Sequence, residues 1–150
     1  MTDPPASATQ TSGGAQTVDP SLFRFLVDSE IHKAQRLRYC ISVICVYAKV
    51  AAAEPSSPEW LLDLFRRQLR ATDVVAEWPP ASLAVLLIDA ESRDIPVVMR
   101  RITAHLADGS WSAGGVSYPR VKPVADDILR QAVALMERAV RDPAEHLYLA

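Results

Sequence analysis

The chain has 150 residues, 49% of them hydrophobic, with 16 Lys and Arg against 18 Asp and Glu. That is enough apolar material for one domain around a core, too little chain for two large domains, and too apolar for a disordered protein. A net charge of -2 creates no broad positive field, which argues against nucleic acid or an anionic membrane as partner.

Residues 1 to 20 are dominated by Thr, Ala, Pro, Ser, Gly and Gln, so burial cannot offset the entropy of ordering them. A disordered tail is expected there, followed by one domain over residues 21 to 150. Asp19-Pro20-Ser21 is a helix-start signal, and Leu22, Phe23, Leu26, Val27, Ile31, Ala34 and Leu37 then recur at helical spacing, which predicts a helix over about 21 to 38. Arg36 and Arg38 would favour the dipole at its end. The run from Ile41 to Tyr47 is rich in β-branched residues without a helical stripe and reads as a strand buried on both faces. Cys40 and Cys45 are placed in this apolar run at odd separation, so they face opposite sides, cannot pair, and read as small buried hydrophobes.

Ser57 and Pro58 provide a cap and a first-turn proline for a helix reaching about Arg70, with Leu61, Leu64, Phe65 and Leu69 on one face. Asp73 to Trp78 and Ser82 to Ile88 read as strands joined by a turn at Pro79-Pro80-Ala81, that is, a β-hairpin. An amphipathic helix over Arg93 to Leu106, a strand over Trp111 to Tyr118, a helix over Asp126 to Val140 and a short strand over His146 to Leu149 complete the order. These elements predict an α/β (α+β) fold: a mixed, largely antiparallel sheet covered by helices, with the hairpin at about 73 to 88. His32, His105 and His146 stand far from the cysteines, so no metal-ligand spacing appears. The longest mostly apolar stretch, Tyr39 to Ala48, is about half a membrane span, and no secretory leader pattern opens the chain; a cytoplasmic protein is expected.

Five blocks in this order, Phe23 to Val46, Leu69 to Asp89, Val97 to Leu106, Trp111 to Pro119 and Asp126 to Val140, resemble consecutive parts of the GGDEF domain, the fold of diguanylate cyclases. The most specific pieces are Arg70-Ala71-Thr72-Asp73 followed by the hairpin and Leu83-Ala84-Val85-Leu86-Leu87, and the Asp126-Asp127-Ile128-Leu129 start of the last helix. The resemblance implies synthesis of cyclic di-GMP from two GTP, with a Gly-Gly-Asp/Glu-Glu-Phe hairpin approaching the nucleotide and serving Mg²⁺. Here those five positions are Pro79, Pro80, Ala81, Ser82 and Leu83; proline has no N–H to donate and fills the space glycine leaves open.

Magnesium needs hard oxygen ligands, yet no Asp or Glu occurs between Glu30 and Glu54 or between Glu77 and Asp89. The segment after the first strand is also shorter than the resemblance implies, and Ala139-Val140 stands where the family carries an Ala-Lys pair whose lysine reaches phosphate. The expectation is a degenerate, catalytically inactive domain with no catalytic residue, no metal and no Mg-GTP site.

The resemblance also implies a second, regulatory site for cyclic di-GMP, onto which Arg70, Asp73 and Arg101 map. An arginine fork can grip phosphate or the O6/N7 edge of guanine, and an aspartate can accept from guanine N–H groups. Arg-x-x-Asp arises by chance about once in a chain of this composition, so its weight lies in its position before the hairpin. The bland alternative is a local ion pair worth ~0.2–0.5 kcal/mol. Three functions stay open: a cyclic di-GMP receptor in bacterial signalling, whose ligand bridges to another surface such as a second copy; a nucleotide-independent scaffold for dimerisation or for docking a signalling protein; and an enzyme of altered substrate, against which the missing carboxylates argue. Arg66, Arg67 and Arg70 form a small basic cluster that reads foremost as an exposed helix face, and Trp60, Trp78 and Trp111 read as core before base-stacking groups.

Overall fold

The computed structural model describes residues 14–49, 58–106 and 110–150. In chain order the elements are β1 (Gln16–Val18), α1 (Pro20–Leu37), β2 (Ile41–Ala48), α2 (Pro58–Gln68), β3 (Val74–Trp78), β4 (Ser82–Ile88), α3 (Asp94–Thr103), β5 (Trp111–Tyr118), α4 (Ala125–Arg141) and β6 (Leu147–Leu149). Among the described residues the strands form one sheet in the order β1-β3-β4-β2-β5-β6. The four central strands pair antiparallel, while the short β1 and β6 join the two edges in parallel. The mixed, largely antiparallel sheet expected from the sequence is the one observed.

Alternation along the strands sends side chains to two apolar layers. One face carries Val43, Cys45, Ala76, Leu86 and Val116, covered by α1 through Phe23, Val27 and Ile31 and by α4 through Ile128, Ala132 and Met136. The other carries Ile44, Val46, Val75, Val85 and Leu87, covered by α2 through Leu61, Leu64 and Phe65 and by α3 through Ile95, Met99 and Ile102. The β-branched run at 41 to 47 lacks a helical stripe because both of its faces are buried. At the start of α1 the Asp19 carboxylate accepts from the Leu22 amide at 2.8 Å, the N-cap that Asp19-Pro20 signalled. Arg38 closes the helix in the left-handed region, φ 61°.

The expected tail over residues 1 to 20 needs correction. Residues 16–18 are β1, paired in register with Val74, Val75 and Ala76, and Ala15 is buried with the α2 residues. A composition rule counts what a segment buries by itself; here pairing with β3, the buried Ala15 and the half-buried Val18 tie the segment to the sheet. The remainder of the expected tail, 1–13, and the cap assigned to Ser57 lie outside the described residues.

Smaller shifts follow from the same local physics. Helix α2 ends at Gln68, so Arg70 sits in the turn beyond it, and α3 spans less than the expected 93 to 106. Cys40 precedes its strand and is only half-buried, whereas Cys45 is buried. Among the described residues no helix is long and apolar enough to cross a membrane.

Candidate functional site

Between the end of α2 and the start of β3 the chain makes a turn held by its own aspartate. Asp73 is 2% exposed. One carboxylate oxygen accepts from the Arg70 amide at 3.0 Å, and the other accepts from the Ile88 amide at the end of β4, also at 3.0 Å. The Asp73 amide donates back to the Arg70 carbonyl at 2.9 Å. A buried carboxylate that accepts two part-buried backbone N–H groups fixes both segments, because losing it leaves both amides short of a partner where water reaches them poorly. The Arg-x-x-Asp spacing thus ties the turn to the far end of the hairpin strand.

That staple leaves the arginine outward. The Arg70 side chain is 59% exposed, its Nε stands 3.6 Å from the Asp73 carboxylate, and its Nη2 donates to the Ile88 carbonyl. Arg101, on the exposed side of α3, donates from Nη2 to the Gln68 carbonyl at 2.7 Å. Each guanidinium thus donates to a backbone carbonyl through Nη2 and carries further N–H donors. Arg70, Asp73 and Arg101 share the lining of a cleft of about 320 Å³, together with Asp89, Asp94 and apolar residues including Leu87 and Val97. The structure brings all three residues singled out in the sequence to one place. It also adds two carboxylates that sequence reasoning missed. Asp89 lies just past β4 at φ 58° and Asp94 opens α3; the topology, rather than any spacing, delivers them.

The hairpin turn builds a second cavity of about 370 Å³, whose walls include Tyr47, Leu61, Trp78, Pro79, Pro80 and Leu83. All five positions from Pro79 to Leu83 line it, and Glu77 is the one charged residue among its described lining residues. Two adjoining prolines offer no amide hydrogen there, and no Lys or Arg stands among those lining residues. The described lining of this cavity is mostly apolar, and Glu77 is its one carboxylate.

The remaining candidates resolve into structural roles. Arg66 and Arg67 both bond Asp63, at 2.9 and 2.8 Å, and the hydrogen bond from Arg66 foremost holds that carboxyl below its usual range; the basic cluster is a paired helix face. Trp78 meets Phe23 edge to face with centroids 5.7 Å apart, and Trp111 lies 5.5 Å from the His146 ring. Trp60 is 39% exposed. Burial pushes the Cys45 thiol up to about 12, which keeps it protonated and unreactive at neutral pH. At the C-terminal edge Arg138 sits 4.5 Å over the Tyr148 ring, whose hydroxyl donates to Asp142, fastening β6 to α4.

No protein-family profile matches the chain, and no curated protein matches it in sequence. Solved structures do. The GGDEF domain of YfiN (TpbB) from Pseudomonas aeruginosa matches with a TM-score of 0.73 at 23% identity, over 88% of this chain and 89% of that one. The FimX GGDEF domain from the same organism matches with a TM-score of 0.72 at 16% identity, over 89% and 94%. The GGDEF domain of DgcB from Caulobacter crescentus, solved in complex with c-di-GMP, matches with a TM-score of 0.73 at 11% identity, over 99% and 96%. At such identities the likeness is one of architecture, and on that ground the chain has the fold of the GGDEF domain.

Proposed function

We propose that this chain is a receptor for cyclic di-GMP that does not synthesise it. One observation carries the reading: two exposed guanidiniums, Arg70 and Arg101, line a single cleft beside the Asp73 staple. A cyclic dinucleotide offers two phosphates and two guanine edges, the groups a planar arginine fork binds bidentately. The DgcB domain of the same architecture is described in complex with that ligand, which supports the choice among dianions. Asp73 serves as a positioning residue, since its oxygens already accept from backbone amides; Asp89 is the cleft carboxylate offered to guanine N–H groups, beside Asp94, one oxygen of which accepts from the Glu91 amide at 2.8 Å.

Loss of synthesis is supported by the hairpin cavity. A Mg-nucleotide needs carboxylates for the metal and N–H or cationic groups for the phosphates; the described lining supplies Glu77 and prolines. These residues do not fit the group.

Titration calorimetry tests the reading. Cyclic di-GMP is expected to bind the unaltered chain with a dissociation constant below ~100 µM, and Arg70→Ala to weaken it about tenfold or more, as for loss of a charge-assisted hydrogen bond. Absence of binding at that concentration, or identical affinity in Arg70→Ala, overturns it. Incubation with GTP and Mg²⁺ is expected to yield no cyclic dinucleotide; its formation overturns the inactive half of the proposal.

A scaffold role is the second reading, favoured by the fact that Arg70 and Arg101 both donate to backbone carbonyls. In that case the trio serves to tie the α2–β3 turn to β4 and α3, and Arg70→Ala lowers stability while a protein partner stays bound without nucleotide.

A further inference from the structure

Strand β1 reaches the cleft from behind. The Ala15 amide donates to the Arg66 carbonyl at 2.8 Å, and the next amide, Gln16, donates to the Asp73 carbonyl at 3.2 Å. Two consecutive N–H groups thus hold the two ends of the segment from Arg66 to Asp73, the segment that displays Arg70. Gly14 makes the approach feasible: its φ is +87°, and a Cβ there would lie 2.3 Å from the Arg66 carbonyl oxygen. Any other L-residue at this position is strained and must lift the strand. Ala15 is buried in the layer formed by Leu61, Leu64, Phe65 and Leu69, while Gln16 and Thr17 are exposed at the sheet edge.

A three-residue parallel edge strand anchored by one buried methyl and the half-buried Val18 is a low-stability unit, of the kind that opens without global unfolding. From the other side the turn it clasps is held by the Asp73 carboxylate and the Arg70 guanidinium at Ile88 and by Arg101 at the Gln68 carbonyl. We infer that β1 is a regulatory clasp on the cyclic di-GMP cleft: docked, it holds Arg70 in the binding arrangement, and released, it loosens the turn and weakens the ligand. This inference rests on the functional reading above. Linkage makes it reciprocal, so ligand must also hold β1 down by the same factor. Whatever draws on residues before Gly14 would then be felt at Arg70, and the ligand would be felt in return at the segment before the domain.

The experiment joins calorimetry with amide hydrogen exchange followed by NMR. Gly14→Ala lifts the strand through its Cβ, and Gln16→Pro deletes the β1 N–H that donates to the Asp73 carbonyl; circular dichroism checks that each is folded. Both are expected to weaken cyclic di-GMP by about tenfold, within the usual range of coupling between sites. In the unaltered chain the ligand is expected to slow exchange of the Ala15 and Gln16 amides by a similar factor, a readout that needs no variant. Unchanged affinity in a folded variant, or unchanged exchange at Gln16 on saturation, overturns the clasp while leaving the receptor standing. Failure of the unaltered chain to bind overturns the receptor and the clasp with it.

Discussion

Asp73 shows how one side chain acquires a different meaning once its surroundings are known. From spacing alone it pairs with Arg70 or meets a ligand; in place, both its oxygens accept from part-buried backbone amides three residues before it and fifteen after it. Charge-assisted bonds of that kind are worth about 1.5–3 kcal/mol each. Asp73→Ala, which orphans both amides, is therefore expected to cost about 3 kcal/mol or more in urea denaturation, and Asp73→Asn, which keeps one acceptor oxygen, about half of that. A loss under about 1 kcal/mol for the alanine variant means that the carboxylate does not staple the turn. An ion pair with Arg70 or a ligand is what the sequence suggests for Asp73; its bond to the Arg70 amide is not foreseen there. The second bond, to Ile88, required the hairpin to fold back, and nothing in the local sequence announced it.

At the scale of an element, two adjacent glycines of β5 do different things. A Cβ on Gly114 would lie 2.3 Å from the Met136 amide nitrogen and 2.5 Å from the Ala132 carbonyl oxygen. Those are backbone atoms of α4 and cannot turn aside, so Gly114 sets how closely that helix lies on the sheet. A Cβ on Gly115 would meet only the ends of the Ile95 and Leu149 side chains at 2.9 Å, which rotate. Gly114→Ala is expected to cost about 3 kcal/mol by forcing the helix outward, and Gly115→Ala about 1 kcal/mol or less, measured as shifts in the urea midpoint at constant slope. Equal losses would mean that α4 rides freely over the strand. The sequence shows a Gly-Gly pair inside a strand; which glycine faces the helix depends on the register Cys45↔Gly114, which only the paired sheet defines.

Across the whole molecule, one sheet separates two apolar layers that share few side chains, with α1 and α4 on one side and α2 and α3 on the other. Ile31 and Ile102, each fully buried, lie in different layers. Ile31→Val and Ile102→Val are each expected to cost about 0.5–1.5 kcal/mol, and the double variant to equal their sum within about 0.5 kcal/mol, as for sites without common partners. A larger departure in equilibrium denaturation would show the layers coupled through the sheet. The cleft with Arg70 and Arg101 lies on the α2–α3 side, so the clasp from β1 acts within one layer.

The long elements needed no tertiary information: helical stripes, the Asp19 cap, a β-branched run and a proline turn each declare themselves within about a dozen residues, because 3.6- and 2-residue periodicities are local properties. Order in β1, the inward turn of Asp73, the meeting of Asp89 and Asp94 with Arg101, and the close approach at Gly114 were decided only by the assembled sheet. Each depends on an atom far along the chain, and the energy of such a contact is invisible until pairing and register bring the two ends together.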